Sequence, residues 1–151
     1  DHKILDLLID NSRIPFTDIA KKLLISAGTV HVRVKKMEEF GIIQGSSLAL
    51  DYKKLGYTFI AYIGIFLEKT HLTNFVLDKL KSIPYVTVAH ITTGRFNIFC
   101  KIRSKNTNHA KEIIFMIDDI DGVSRTETMI SLEESINDKK RLMHKIFNEI
   151  K

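Results

Sequence analysis

"LLISAGTVHVRVKKMEEFGII", residues 23–43, holds a helix with two different faces. Val30, Val34 and Met37 recur four and three residues apart, which is one side of an α-helix. Ser26 offers a hydroxyl that accepts from a free N–H of the first turn, and Gly41 suits the left-handed position after the last turn. At 100° per residue, Gly28, Val32 and Lys35 point away from the apolar side, with Thr29 and His31 on its flanks. A solubility surface would be Glu, Lys and Gln. Small and mixed groups at a helix start instead let it approach another surface closely. Val32 suits a thymine methyl, Thr29 and His31 suit base edges, and Lys35 and Arg33 suit phosphate. Ser26 at the cap and Lys36 complete the expected DNA-contacting set. Arg33 has a second reading, as the partner of an acid within the domain.

The preceding residues, "DHKILDLLIDNSRIPFTDIAKKLL", carry two short amphipathic helices divided by Pro15. The first uses Ile4, Leu5, Leu7 and Leu8. The second opens on Thr17 as its cap and uses Ile19, Ala20, Leu23 and Leu24. With only Ile25 before the next cap, the second and third helices form a helix-turn-helix whose later member enters the major groove. "GIIQGSSLALD" reads as strand, turn and strand, hence a wing. Tri-helical domains that bind no nucleic acid use the same core pattern, so periodicity alone leaves that reading open. Residues 1–50 hold seven Lys or Arg against six acids, an excess of +1. Phosphate neutralisation dominates DNA affinity, so tight binding needs two copies or more.

The whole chain, 151 residues with net charge +5, is long enough for one large or two small cores. Nothing approaches the ~18 apolar residues of a membrane span, and a cytoplasmic location with no membrane partner is expected. Cys100, the lone cysteine, reads as a small buried hydrophobe and excludes an intrachain disulfide. The histidines (His2, His31, His71, His90, His109 and His144) lack metal-ligand spacing. His90 reads as a core strand residue. No phosphate loop, zinc pattern or Ser/His/Asp arrangement is visible, so neither catalytic residues, metal nor cofactor is expected.

The second half repeats at a shift of 37 residues: Ile83 falls on Ile120 and Val86 on Val123. Each copy reads strand, helix, strand, from "YTFIAYIGIFL" to "VTVAHITT" and from "FNIFCKIR" to "VSRTETMISL". In "VTVAHITT", Val86, Val88, His90 and Thr92 alternate with Thr87, Ala89 and Ile91. "TTGRFN" joins the copies as a glycine-containing hairpin turn. The result is βαββαβ, a ferredoxin-like antiparallel sheet with helices on one side. Apolar residues on both faces of its first strand (Tyr57, Phe59, Ile60, Tyr62, Ile63) imply sheet-to-sheet dimerisation. The expected class is therefore α+β. A winged helix-turn-helix spans 1–45, a linker strand 46–56, the βαββαβ domain 57–132, and an added C-terminal helix 133–151. That tail spaces Ile136, Leu142, Met143, Ile146, Phe147 and Ile150 helically, and its stripe is expected to dock on the sheet domain or on a neighbouring subunit.

"DHKILDLL", "DIAKKLLIS", "TVHVRVKKMEEFGII", "KKLGY", "IPYV", "TTGRFNIF" and "GVSRTETMISL", in this order, resemble the Lrp/AsnC (feast/famine) transcription regulators over residues 1 to about 132. The resemblance implies a double-stranded-DNA-binding homodimer that assembles further, often to octamers, and senses an amino acid or related metabolite. It also implies an effector site between dimers at Thr93, Gly94, Arg95, Phe96, Asn97, Thr126 and Thr128. The family turn usually reads Thr-Gly-x-Tyr-Asp. Asn97 keeps a carbonyl acceptor but loses the carboxylate suited to an α-ammonium, and Arg95 adds a cation. Both changes favour an anionic or neutral ligand group, or none. Two further readings stay open. Sirohaem decarboxylases share the architecture, although the intact cap and helix here argue against an enzyme. A purely structural oligomer would bind neither DNA nor effector.

Overall fold

The computed structural model describes residues 1–149, which form two compact units. The first joins Asp1–Ala49 to the chain from Ser135 onward; the second is Leu50–Glu134.

In the first unit, α1 (His2–Asp10), α2 (Phe16–Leu23) and α3 (Ala27–Glu39) close around Ile4, Ile19, Ala20, Val30, Val34 and Met37. These are the apolar stripes of the three helices brought face to face. The second helix starts earlier than Thr17 suggests. Pro15 is its cap, with φ −60°, and its carbonyl accepts from Asp18 and Ile19 at 2.9 and 3.2 Å. A fixed φ and no N–H to satisfy make proline a good entry to a helix, and Thr17 falls in the first turn. Leu24 does not continue α2; it ends it at φ 57°, in the left-handed region. After α3, Gly41 (φ +73°) donates to Glu38 and Ile42 to Met37 at 3.0 and 2.9 Å, a Schellman closure.

Four expectations after α3 and at the tail are corrected. Residues 41–50 form no strand pair: Ile43 packs on the helical core and Gly45 sits at φ +144°, which interrupts the extended alternation a wing needs. No linker strand forms over 46–56. Asp51 accepts from Lys53 and Lys54 (3.1 and 3.4 Å) and holds a turn there. Residues 133–138 are irregular, and the terminal helix α6 runs Lys140–Glu149 behind Asp138, which accepts from Lys140 at 2.9 Å. Ile136 therefore precedes the helix, and Ile150 lies outside the described residues. Nor does α6 dock on the sheet: it lies against α1 in the first unit.

The second unit is β1 (Phe59–Leu67), a short 3₁₀ turn and α4 (Thr73–Leu80), β2 (Val86–Ile91), β3 (Ile98–Ser104), α5 (Thr107–Asp118) and β4 (Val123–Ile130). The sheet order β2-β3-β1-β4, all antiparallel, is the expected split βαββαβ topology. Ala61, Ile63 and Ile65 of β1 and Ile98, Cys100 and Ile102 of β3 pack under Val76, Leu80, Ile113 and Ile117 of the helices. The 37-residue echo is physical: Val86 donates to Ile83 at 3.0 Å, and Val123 to Ile120 at 3.1 Å, so both copies enter their last strand through the same turn. The alternation in β2 breaks at Thr87, where an irregularity shifts register. Val86 thus faces the helices opposite Ile102, whereas Val88 and His90 pair with Lys101 and Phe99 on the other face. His90 is exposed there, not core.

Leu24 is 92% exposed and makes no packing that would favour leucine. A left-handed L-residue costs roughly 1–2 kcal/mol, and the extra chain entropy of glycine returns part of the gain. Leu24→Gly is therefore expected to stabilise the fold by about 0.5–1 kcal/mol in a denaturant titration. An unchanged or lowered midpoint would mean that the turn is not left-handed in solution.

Candidate functional site

The start of α3 is built by two hydroxyls. Ser26 accepts from the Thr29 N–H at 3.1 Å, and the two hydroxyl oxygens lie 2.7 Å apart. Thr29 thus already has a partner. With Val30, Val34 and Met37 buried, Gly28, His31, Val32, Lys35 and Lys36 are all exposed. A methyl group added at Gly28 would meet only the Ser26 hydroxyl, at 3.9 Å, so nothing crowds the helix at this point. Val32, an apolar side chain on a well-packed helix, is left 53% exposed. His31 lies 6.0 Å, ring to ring, from Phe16, which limits how it swings. Arg33 approaches Asp1 at 3.6 Å, the acid-pairing alternative, with both side chains about half exposed. The tail adds charge that the N-terminal residues lack. Lys139, Lys140, Arg141 and Lys145 against Asp138 and Glu149 raise the unit's described excess from +1 to +3.

The β2–β3 turn is pinned to β1 by Asn97. Its N–H donates to Ile65 O (3.0 Å), its carbonyl accepts from Thr92 (3.2 Å), and its side-chain Oδ1 accepts from the Leu67 N–H (2.9 Å). Thr92 closes the turn by donating to Phe96 O at 2.9 Å, and Gly94 takes φ +92°. Phe96 lies over Gly64, where any Cβ would sit 2.3 Å from its ring, and packs edge-on to Phe66. Gly64 opposes Phe99 and Glu127, so Phe96 lies on the sheet face opposite the helices. Arg95 crosses β1 to pair with Glu127, and Arg125 approaches the same carboxylate at 3.5 Å. Both guanidinium carbons lie near the Phe66 ring, at 5.7 and 4.1 Å from its centroid. Thr126 and Thr128 oppose Ile65 and Ile63, which puts them on the helix side; Thr126 donates to Asp118 on α5 at 2.8 Å, and Thr128 is exposed. One protomer therefore divides the seven effector positions between two sheet faces. Thr93 and Gly94 stand exposed at the rim.

Residues 1–44 match the family model for winged helix-turn-helix DNA-binding domains, and residues 60–140 match that for Lrp/AsnC ligand-binding domains. The chain belongs to the Lrp/AsnC family. Regulatory protein AsnC of Haemophilus influenzae is 38% identical over 90% of this chain and 91% of its own. An HTH-type transcriptional regulator of Pyrococcus furiosus is 35% identical over 88% and 89%. The structure of Escherichia coli AsnC superposes with a TM-score of 0.88 at 36% identity, covering 91% of this chain and 93% of that one. The feast or famine regulatory protein of Mycobacterium tuberculosis, solved with L-methionine, shares the fold at TM-score 0.83 and 20% identity over 92% and 94%.

As an Lrp/AsnC protein, the chain is a DNA-binding transcriptional regulator with a small-molecule domain and is not an enzyme. The relatives that share more than a third of its residues are regulators, which removes the decarboxylase alternative. Among the described residues no cluster could hold a metal, and no helix is long and apolar enough to cross a membrane. Burial pushes the Cys100 thiol up to about 12, so it carries no nucleophilic thiolate. Sequence reasoning missed Gly64, Phe66, Arg125 and Glu127. The available signal was Gly64 itself, a glycine inside a strand of large residues, which marks a close approach.

Gly64→Ala drives a Cβ into the Phe96 ring and is expected to cost about 1–3 kcal/mol. In a Phe96→Ala background the same change is expected to cost little, which a double-mutant cycle by thermal melting reads directly. Equal costs in both backgrounds would show that Phe96 does not rest on Gly64.

Proposed function

We propose that the chain works as a homodimer that sets two α3 helices into successive major grooves about 34 Å apart. The observation that carries this is the start of α3: a Ser26-capped, uncrowded surface where Gly28, His31, Val32 and Lys35 stand exposed together. In this reading Gly28, Thr29, His31 and Val32 meet base edges, while Arg33, Lys35 and Lys36 meet phosphates. Ser26 fixes the helix start, and Thr29 reaches a base through the hydroxyl it shares with Ser26. The dimer forms through the sheet face opposite the helices. Its support is the aromatic layer there, with Tyr62 stacked on Phe99 at 5.8 Å and Phe96 beside Phe66. Dimers assemble further, to an octamer, and the protein acts in the cytoplasm.

Between dimers, Thr93, Gly94, Arg95, Phe96, Asn97, Thr126 and Thr128 form the effector site, two protomers supplying what one divides between its faces. Oδ1 of Asn97 already accepts from Leu67, so the larger remaining capacity is the amide N–H₂, whose two donors seek an acceptor. The Glu127 partner reduces the charge Arg95 brings. The site therefore favours a carboxylate or neutral group at position 97 over an α-ammonium. Calorimetric titration of the twenty amino acids tests this, with L-methionine included because the Mycobacterium tuberculosis protein was solved with it. Micromolar binding of a neutral or basic amino acid would refute the preference. Asn97→Asp keeps an acceptor for Leu67 and is expected to tighten any amino acid that binds.

Lys35→Ala is expected to weaken binding to all DNA sequences alike and to flatten the salt dependence by about one. Val32→Ala is expected to alter preference at one or two base pairs instead. Gel shifts on the protein's own upstream region, across salt and a panel of substituted sites, separate the two effects. Unchanged affinity in both variants would overturn the groove assignment, and no retarded complex at all would leave a structural oligomer.

A further inference from the structure

The ligand-binding match ends at residue 140, where α6 begins, and this helix lies against α1. Asp6 and Asp10 lie four residues apart on one face of α1. His144 sits between them: Nδ1 is 2.7 Å from the Asp6 carboxylate and Nε2 is 3.1 Å from that of Asp10. Carboxylates only accept hydrogen bonds. A neutral imidazole has one N–H and would turn its other nitrogen's lone pair on an anion, so two short contacts of this kind require the imidazolium.

The rest of the contact is weak. His2 and Phe147 lie 6.0 Å apart, ring to ring. Met143 and Phe147 border a groove of about 630 Å³ with Leu5, Leu8, Ile9 and Val34, which they leave open. No residue of α6 is buried, and Leu142 is 66% exposed. The apolar grip is thus partial, and the ionic seat is the other contact that holds the helix.

We propose that α6 is a proton-dependent latch on the DNA-binding unit, closed by the cation of His144 between Asp6 and Asp10 and opened when that proton leaves. The other charged groups on the packed elements are His2 and Lys3 of α1, Lys140, Arg141, Lys145 and Glu149 of α6, and Glu38 of α3 at the groove. Lys145 is engaged by Glu149 at 3.1 Å. The Asp6 hydrogen bond leads the causes that raise the His144 pKa above its ordinary 6.5, partly opposed by desolvation, with Asp10 adding to the rise. A raised pKa in the docked state means that docking is full below pH 6.5 and is lost as pH climbs through the raised value. An open latch bares Met143 and Phe147 and removes the outer support of α1, whose Ile4 packs in the same core as Val34 of α3.

The full chain is tested by NMR titration of the His144 ring, assigned by its loss in His144→Gln, and by α6 amide exchange corrected for intrinsic rates. His144 is expected to titrate above a free imidazole, and Asp6→Asn with Asp10→Asn to bring it back. From pH 6 to pH 9 the docking constant of α6 is expected to fall about tenfold for every pH unit that separates the two pKa values. In His144→Gln, α6 exchange is expected to lose that pH dependence. A His144 that titrates as a free imidazole would overturn the latch. So would α6 protection that is pH-independent in the unaltered chain, or equal in the double asparagine variant at pH 6.

Discussion

A four-stranded sheet with both helices on one side leaves its other side to find a use. Here that other side carries aromatic rings and an Arg–Glu–Arg group. Gly64 removes a side chain from the centre of β1, and the Phe96 ring takes the vacated space. Around it Phe66 packs edge-on, and the Arg95–Glu127–Arg125 group spans β1. The turn that carries Phe96 is the same turn that Asn97 ties to the β1 backbone. One glycine therefore links the shape of the proposed dimer face to the position of the proposed effector turn.

A similar economy operates in the recognition helix. The Ser26 and Thr29 hydroxyls are spent partly on each other and on the helix start. What remains free is small, apolar or cationic: Gly28, Val32, Lys35 and Lys36. In the proposed interface such a surface suits close approach, methyl contact and phosphate charge more than many direct hydrogen bonds. The modest charge of residues 1–50 agrees with this, and the cations of the tail increase it within the same unit.

Much of this was legible in the residues, for identifiable reasons. The helical stripes of α1 to α3 and the repeat in the sheet unit follow periods that burial enforces, and they appear where expected. The Ser26 cap and the Gly41 exit are local chemistry, readable from a few residues. What sequence could not supply was contact at long range. Asp6 and Asp10 look like ordinary surface acids until His144 arrives from the far end of the chain, and Arg95 looks unpaired until Glu127 is opposite it. The strands expected over 41–50 and 46–56 do not form: Gly45 at φ +144° and the turn held by Asp51 interrupt the extended run. His90 was misplaced because an irregularity at Thr87 shifts the β2 register, which alternation alone does not reveal. At the proposed effector turn the family resemblance supplied seven candidate positions, but their division between two sheet faces was not legible in the sequence.

The central claim is that two joined copies read DNA with paired α3 helices. Hydroxyl-radical footprinting of the 151-residue chain on sites selected from random DNA tests it most directly. The account predicts two related half-sites about 10–10.5 base pairs apart, centre to centre, protected at one and the same protein concentration. A single unpaired half-site, protected by a species of the 17.4 kDa chain mass, would contradict it.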